Sequence, residues 1–268
     1  MADSSDLVGT IDALWRFPVK SMGGEELAAV DVGPGGLVGD RRLALIDRET
    51  GAVASAKNPR KWSRLLDCQA TFGAADPARP EAAVAITLAD GTRLSSDEAG
   101  AEDRLADYFG REIDLRSAPA AGHQIEMMFP EDASEQVVEV PIAEGMFFDA
   151  APVHLLTTAS LNELAKTAPD SRFDVLRFRP NLVIAVPAEG GFVENEWIGR
   201  SLRIGAEVEL SIIGPCPRCI MTTVSQGDLP KDPAVLRAAA ERNDANIGVY
   251  AQVVSPGKIR RGDPVRLK

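Results

Sequence analysis

Apolar residues in this chain alternate over short stretches more often than they recur at helical spacing. Gly9–Val19 alternates loosely through Ile11, Leu14, Trp15, Phe17 and Val19 and predicts a strand, with Pro18 at an edge or an end. Glu26–Val32, Arg41–Asp47, Leu65–Phe72 and Ala82–Ala89 read as further strands. Asp90-Gly91 is a tight hairpin signal that returns the chain through Thr92-Arg93-Leu94. Glu49-Thr50-Gly51 is a second turn, with Ala52–Ala56 returning. Short strands at this spacing predict a small barrel or a curved antiparallel sheet over the first hundred residues.

Helical spacing appears in fewer places. Asp97–Phe109 carries it, with Gly110 as a stop. A second helix follows Thr158, a candidate N-cap ahead of Leu161, Leu164 and Ala165. A third covers Pro233–Arg242, with Pro233 near its first position. Val153–Leu156, Leu182–Val186, Leu202–Leu210, Ile247–Val254 and Lys258–Leu267 predict more strands. Residues 117–146 show no period and are broken by Pro119, Gly122, Pro130 and Pro141, so an irregular segment is expected there. The hairpin spacing ends near residue 115. The expected division is therefore 7–115 and 116–268, in a mainly β protein with a few helices, an α+β class.

Composition narrows the function classes. A chain of 268 residues is long enough for two packed subdomains. No run of eighteen apolar residues occurs, so no membrane span is expected. The acidic start, Met1–Asp6, is not that of a secretory signal. Three cysteines cannot build a disulfide framework, and a reducing cytoplasm is the expected location. The net charge of −11 argues against general nucleic-acid binding, which needs a basic face. It leaves room for a small anion in a local basic pocket.

The densest chemistry lies in Gly214-Pro215-Cys216-Pro217-Arg218-Cys219-Ile220-Met221-Thr222-Thr223. Two prolines stiffen it, and Arg218 precedes the second thiol and would help keep Cys219 ionised. Lys20-Ser21 before Gly23-Gly24 offers a point charge and a hydroxyl donor. Lys57–Trp62 is the densest basic stretch and could line an anion pocket or equally be a solvated loop with Trp62 as anchor. The glycine-dense loop Gly33–Gly39 permits close backbone approach but lacks the Gly-Lys-Ser/Thr of a phosphate loop. Arg177 and Arg179 share a side if that stretch is extended. His123 is a lone loop histidine and is not selected.

Three chemistries compete for the cysteine pair. Structural zinc needs two more ligands, and only Cys68, His123 and His154 remain. Dithiol exchange wants a helix after the motif, whereas Thr222-Thr223-Val224 favours extension. A single thiolate could instead ligate a soft transition metal whose other ligands come from a cofactor. A cofactor with its own sulfurs and a phosphate would also engage the scattered Lys20, Arg41, Lys57 and Arg179.

The residues then match a family. Phe17–Ser21, Gly39–Arg42, Asp149–Pro152, Phe178–Asn181, the Trp197–Gly205 stretch and Cys216–Thr223 together resemble MOSC-domain proteins. The likeness is to the group that includes the mitochondrial amidoxime-reducing component. It implies a MOSC β-barrel beside a β-rich N-terminal domain, with molybdenum cofactor between them. It implies Cys219 as the molybdenum ligand. Lys20, Ser21 and Arg41 match positions holding the pterin and its phosphate, Arg179 and Asn181 match further contacts, and Asp149 falls beside the cofactor. Ala150-Ala151 stand before Pro152 where amidoxime reducers carry Thr-Ser, so backbone amides would have to reach the phosphate there. The implied activity is reduction of small N-hydroxylated or N-oxygenated molecules. No four-cysteine iron–sulfur domain is present, so electrons are expected from a separate ferredoxin, flavoprotein or cytochrome. A persulfide or cofactor carrier using Cys219 is the alternative, and a plain dithiol oxidoreductase the third.

Overall fold

The computed structural model describes residues 7–73, 76–79, 82–117, 124–128, 137–141, 147–187 and 190–268. It is mostly β. Seven strands close on one another, and we number these β1 Leu7–Arg16, β2 Val153–Thr157, β3 Leu182–Ala185, β4 Ser201–Ile204, β5 Val208–Pro217, β6 Asn246–Ser255 and β7 Pro264–Leu267. Their order is β3-β2-β6-β5-β4-β7-β1, and β1 pairs back onto β3, with Ile11 opposite Ile184 and Leu14 opposite Leu182. All these pairings are antiparallel except β2 with β3. That parallel pair needs a crossover, and helix Thr158–Thr167 contributes to it.

Closure explains the apolar pattern. Ile11, Leu14, Leu155, Leu182, Ile184, Leu202, Ile204, Leu210, Ile212, Val249 and Val265 are fully or almost fully buried in one cluster. Alternate residues on each strand supply it, because a strand turns successive side chains to opposite faces. A second core, with Val19, Met22, Leu45, Trp62, Leu65, Ile86 and Leu105, lies in the N-terminal segment. There Leu43–Asp47 pairs with Ile113–Ser117, and Gln69–Thr71, Ala85–Thr87 and Arg93–Ser95 form a three-stranded sheet. Helix Ala101–Phe109 ends at Gly110, whose left-handed backbone (φ 67°) accommodates the stop. The first strand therefore belongs to the barrel built by the C-terminal half, and Val30, Val32 and Leu37 join its core, while Val19, Met22 and the chain from Leu43 on build a separate core.

Several local expectations need correction. Within 117–146, Gln124–Met128 and Val137–Pro141 pair as antiparallel strands. The prolines in and around this segment obscured that pairing in the sequence. Lys57 precedes a short helix, Pro59–Trp62, rather than sitting in a loop that runs on through Trp62. Thr157, not Thr158, is the N-cap, its hydroxyl accepting from Ser160 N at 3.2 Å. Pro233 is the N-cap of helix Ala234–Asn243. Arg177 and Arg179 are not on an extended strand, because Val175–Phe178 is one helical turn. After Cys219 the chain does not extend either. Thr222 and Thr223 hydroxyls bond back to the carbonyls of Cys219 (3.0 Å) and Ile220 (2.7 Å), closing a 3-10 turn at Ile220–Thr222.

The shared barrel makes a prediction. Residues 116–268 expressed alone leave β3 and β7 without their neighbour and remove Ile11 and Leu14 from the core. We expect no cooperative thermal transition from that fragment by circular dichroism. A transition matching that of the whole chain would contradict the role of β1.

Candidate functional site

A cavity of about 520 Å³ opens where the N-terminal core meets the barrel. Lys20, Ser21, Arg41, Lys57, Asp149, Ala150, Ala151, Arg179, Asn181 and Cys219 all line it. Pro152 does not; it packs behind, its carbonyl 2.7 Å from where a Cβ on Gly36 would sit. Gly36, at φ 104°, is thus the place where the glycine-dense loop approaches closely, and that loop packs on Pro152 without lining the cavity. A second hollow of about 710 Å³, at Asp31, Lys258 and Asp263, holds no thiol and no residue selected from the sequence. His123 lies outside the described residues.

Elements far apart in sequence deliver these groups. Lys20 and Ser21 follow β1, and Lys20 N is tied to Leu43 O at 2.8 Å. Arg179 caps the turn Val175–Phe178, and Asn181 sits just before β3. Cys219 follows β5. Its turn is anchored by Met221, which packs with Ala56 and Leu66 of the N-terminal segment. Ser21 (φ 64°), Arg41 (φ 46°) and Arg179 (φ 54°) are three non-glycine residues with left-handed backbone, and all three line the cavity. Each is a conformation held by its surroundings at some cost.

The charges meet in one network. Lys20 Nζ donates to Asp149 Oδ1 at 2.6 Å and to Phe147 O at 2.8 Å. Lys57 Nζ lies 3.0 Å from Asp149 Oδ2, so one carboxylate bridges two lysines. Burial would push the Asp149 carboxyl up, but Lys20 and Lys57 outweigh it and hold it far below the usual carboxylate range. Burial pulls Lys20 down despite Asp149, with Lys57 and Arg41 adding to the pull. For Lys57, burial is outweighed by the attraction of Asp149 and Cys219, and its pKa rises.

Arg41 pairs with Asp40 and reaches Arg179 O at 3.3 Å. Arg179 Nη1 donates to Met22 O at 2.6 Å, while its Nη2 is buried without a partner among the described residues. Both guanidiniums lie against the buried Phe17 ring, at 5.2 and 4.1 Å. Burial, with Arg41 adding to it, lowers the Arg179 pKa to about 9. Ser21 Oγ accepts from Ala56 N at 3.1 Å, which leaves its O–H as a donor. Asn181 reaches the cavity, yet its amide bonds His154 N (3.1 Å) and Trp15 O (3.4 Å).

The sequence left the role of Cys216 open, and the structure shows its surroundings. Cys216 is buried at the end of β5, and Arg218 Nη1 donates to its sulfur at 2.8 Å. The hydrogen bond of Arg218 thus goes to Cys216, while its charge also attracts Cys219. Burial would raise the Cys216 thiol, but Arg218 and His154 bring it below its ordinary value. Burial and the nearby Cys216 raise Tyr250. Ser55, His154, Phe178 and Tyr250 also line the cavity. Spacing along the chain carries no signal for them, because cross-strand pairing of His154 with Tyr250 brings them there.

Residues 143–266 match the model of the MOSC domain, and residues 8–112 match that of the MOSC N-terminal beta barrel domain. The chain is similar to mitochondrial amidoxime-reducing component 1 of Mus musculus, at 27% identity over 97% of this chain and 82% of that protein. It is also similar to the molybdenum cofactor sulfurase of Danio rerio, at 27% identity over 90% of this chain but 31% of that protein. The fold resembles the crystal structure of the YUAD protein from Bacillus subtilis, with TM-score 0.50 and 13% identity, over 98% of this chain and 97% of that one.

The bridging carboxylate sets a pH dependence. Asp149 has a depressed folded pKa, so its stabilising contribution is present above the ordinary carboxylate value of about 4 and is lost as pH falls below it. We expect Asp149→Asn to melt below the native protein at pH 7, and the gap to shrink as the pH is taken below about 4. A gap independent of pH, measured by calorimetry, would show that the charge of Asp149 does not act through the lysines.

Proposed function

Because the chain belongs to the MOSC-domain family, we propose that it holds a molybdenum cofactor in this cavity and reduces N-hydroxylated or N-oxygenated small molecules. The observation that carries the reading is that the Cys219 thiol shares a cavity with Lys20, Arg41, Lys57, Arg179 and Arg218. The residues suit such a group. The unpartnered Arg179 Nη2 and the lowered pKa of Arg179 describe a buried cation that an anion would relieve. Lys20, Ser21, Arg41, Lys57 and Arg179 would bind the phosphate and the pterin. Backbone amides at Ala150 and Ala151 would take part where side-chain hydroxyls are missing. Cys219 would be the only protein ligand to the metal.

When bound, the cofactor supplies two-electron removal of an oxygen atom from nitrogen. The protein's own residues position and bind. Asp149 stays ionised at neutral pH, so it accepts hydrogen bonds and fixes Lys20 and Lys57; it does not donate a proton. Asn181 frames the cavity by holding His154 and Trp15. Electrons would come from a separate ferredoxin, flavoprotein or cytochrome. The three free cysteines suit a reducing compartment such as the cytoplasm. Among the described residues no helix is long and apolar enough to cross a membrane.

The presence of Cys216 in the same cavity favours a second reading, a carrier of persulfide sulfur or of the cofactor on Cys219. Expression in a host that makes molybdenum cofactor separates the two. The enzyme reading predicts molybdenum in the native protein and in Cys216→Ala, its loss in Cys219→Ala, and reduction of a hydroxylamine with an artificial donor. Full molybdenum in Cys219→Ala, or folded native protein without it, would overturn that reading. Metal-free protein with one added sulfur on Cys219 by mass spectrometry would establish the carrier.

A further inference from the structure

The side chain of Arg177 is fully buried, and the cavity does not include it. Among the described residues its hydrogen bonds all go to backbone carbonyls. Nε donates to Arg172 O at 2.9 Å, Nη1 to Thr222 O at 3.1 Å and Val224 O at 3.4 Å, and Nη2 to Pro230 O at 2.8 Å. Burial lowers its pKa, partly offset by Asp232 and Asp174 nearby. Removing a charge from water is expensive, and carbonyls repay it only when the geometry holds several of them at once.

What the fork gathers explains its place. Thr222 ends the turn that starts at Cys219, and both its amide (3.1 Å) and its hydroxyl (3.0 Å) donate to Cys219 O. Its carbonyl is one that Arg177 takes. Val224 and Pro230 flank the loop that leaves this turn, which Gln226 and Leu229 close with mutual backbone bonds of 3.0 and 2.9 Å. Two residues along from Arg177, Arg179 enters the cavity, and the intervening Phe178 O accepts from Arg218 at 2.9 Å. The segment 177–179 thus touches both flanks of Cys219. Arg218 binds it from the preceding side, and Arg177 binds the following side.

We propose that Arg177 is the positioning residue for Cys219, holding the turn and loop that follow it so that the thiol stays in the cavity. A planar guanidinium can span three carbonyls of one loop. A lysine is a point charge and cannot. The functional weight of this position rests on reading Cys219 as the metal ligand, but the position itself does not.

The test reads position without cofactor, so its failure is distinct from failure of the ligand reading. Alkylation of each cysteine by iodoacetamide is followed by peptide mass spectrometry in native, Arg177→Lys and Arg177→Gln proteins. Cys68, buried in the N-terminal core, is the internal control. Hydrogen bonds to a charged group contribute about 1.5–3 kcal/mol each, so losing one frees the turn by roughly tenfold or more. We expect Cys219 to alkylate roughly tenfold faster in both variants, with Cys68 unchanged. An unchanged Cys219 rate would overturn the proposal. So would equal acceleration of Cys68 and Cys219, including in a variant that fails to fold, since Arg177 would then support the whole fold and not this turn.

Discussion

The structure is organised by positive charge taken out of water around one cavity. Lys20, Arg41, Lys57, Arg179 and Arg218 converge there in a chain whose overall charge is strongly negative. Desolvated cations near one another are unfavourable unless each is answered. The chain answers most of them itself. Asp149 bridges the two lysines, Asp40 holds Arg41, and the Cys216 sulfur receives Arg218. Arg179 gains a carbonyl and the face of Phe17, and one of its nitrogens remains without a partner. That remainder is the physical reason to expect an anionic group in the cavity.

Holding these groups shapes the backbone. Left-handed conformations at Ser21, Arg41 and Arg179 place side chains that ordinary turns would send elsewhere. They persist because both cores press on them: β1 is locked into the barrel on one side, and the chain immediately after it enters the second core. The site therefore depends on the chain crossing from barrel to N-terminal core at Phe17–Ser21 and on Cys219 being brought back to the same place by β5. Asn181 and Arg177 do comparable work in different positions. One ties β2 to β1 through backbone groups, and the other binds the loop after the metal-ligand candidate to the turn that bears Arg179.

Much of this was legible from residue order. Period-two alternation located most strands, and the α+β class followed. The cysteine stretch and the lysine-serine turn stood out by their chemistry, the Phe178–Asn181 run entered through the family resemblance, and the structure brings residues of all three to one cavity. What alternation could not carry was closure. Nothing local in Leu7–Arg16 says that its partners are Pro264–Leu267 and Leu182–Ala185. Cross-strand neighbours were hidden for the same reason, so the placement of His154 and Tyr250 beside Cys216 went unread. Arg218 was expected to act on the adjacent cysteine; its charge does attract Cys219, but β5 reaches Pro217 and the guanidinium's hydrogen bond turns back to the sulfur two residues earlier. Extension after Cys219 was expected from threonine propensity, and threonine side-chain bonding to the preceding carbonyls prevailed instead.

The central claim is that Cys219 joins a metal to a cradle of cations. X-ray absorption at the molybdenum edge tests it most directly, on protein purified from a host that makes the cofactor. The account predicts one more sulfur neighbour in the native protein than in Cys219→Ser, with Cys216→Ser matching the native count. An equal sulfur count in native and Cys219→Ser proteins, or loss of a sulfur in Cys216→Ser alone, would contradict it.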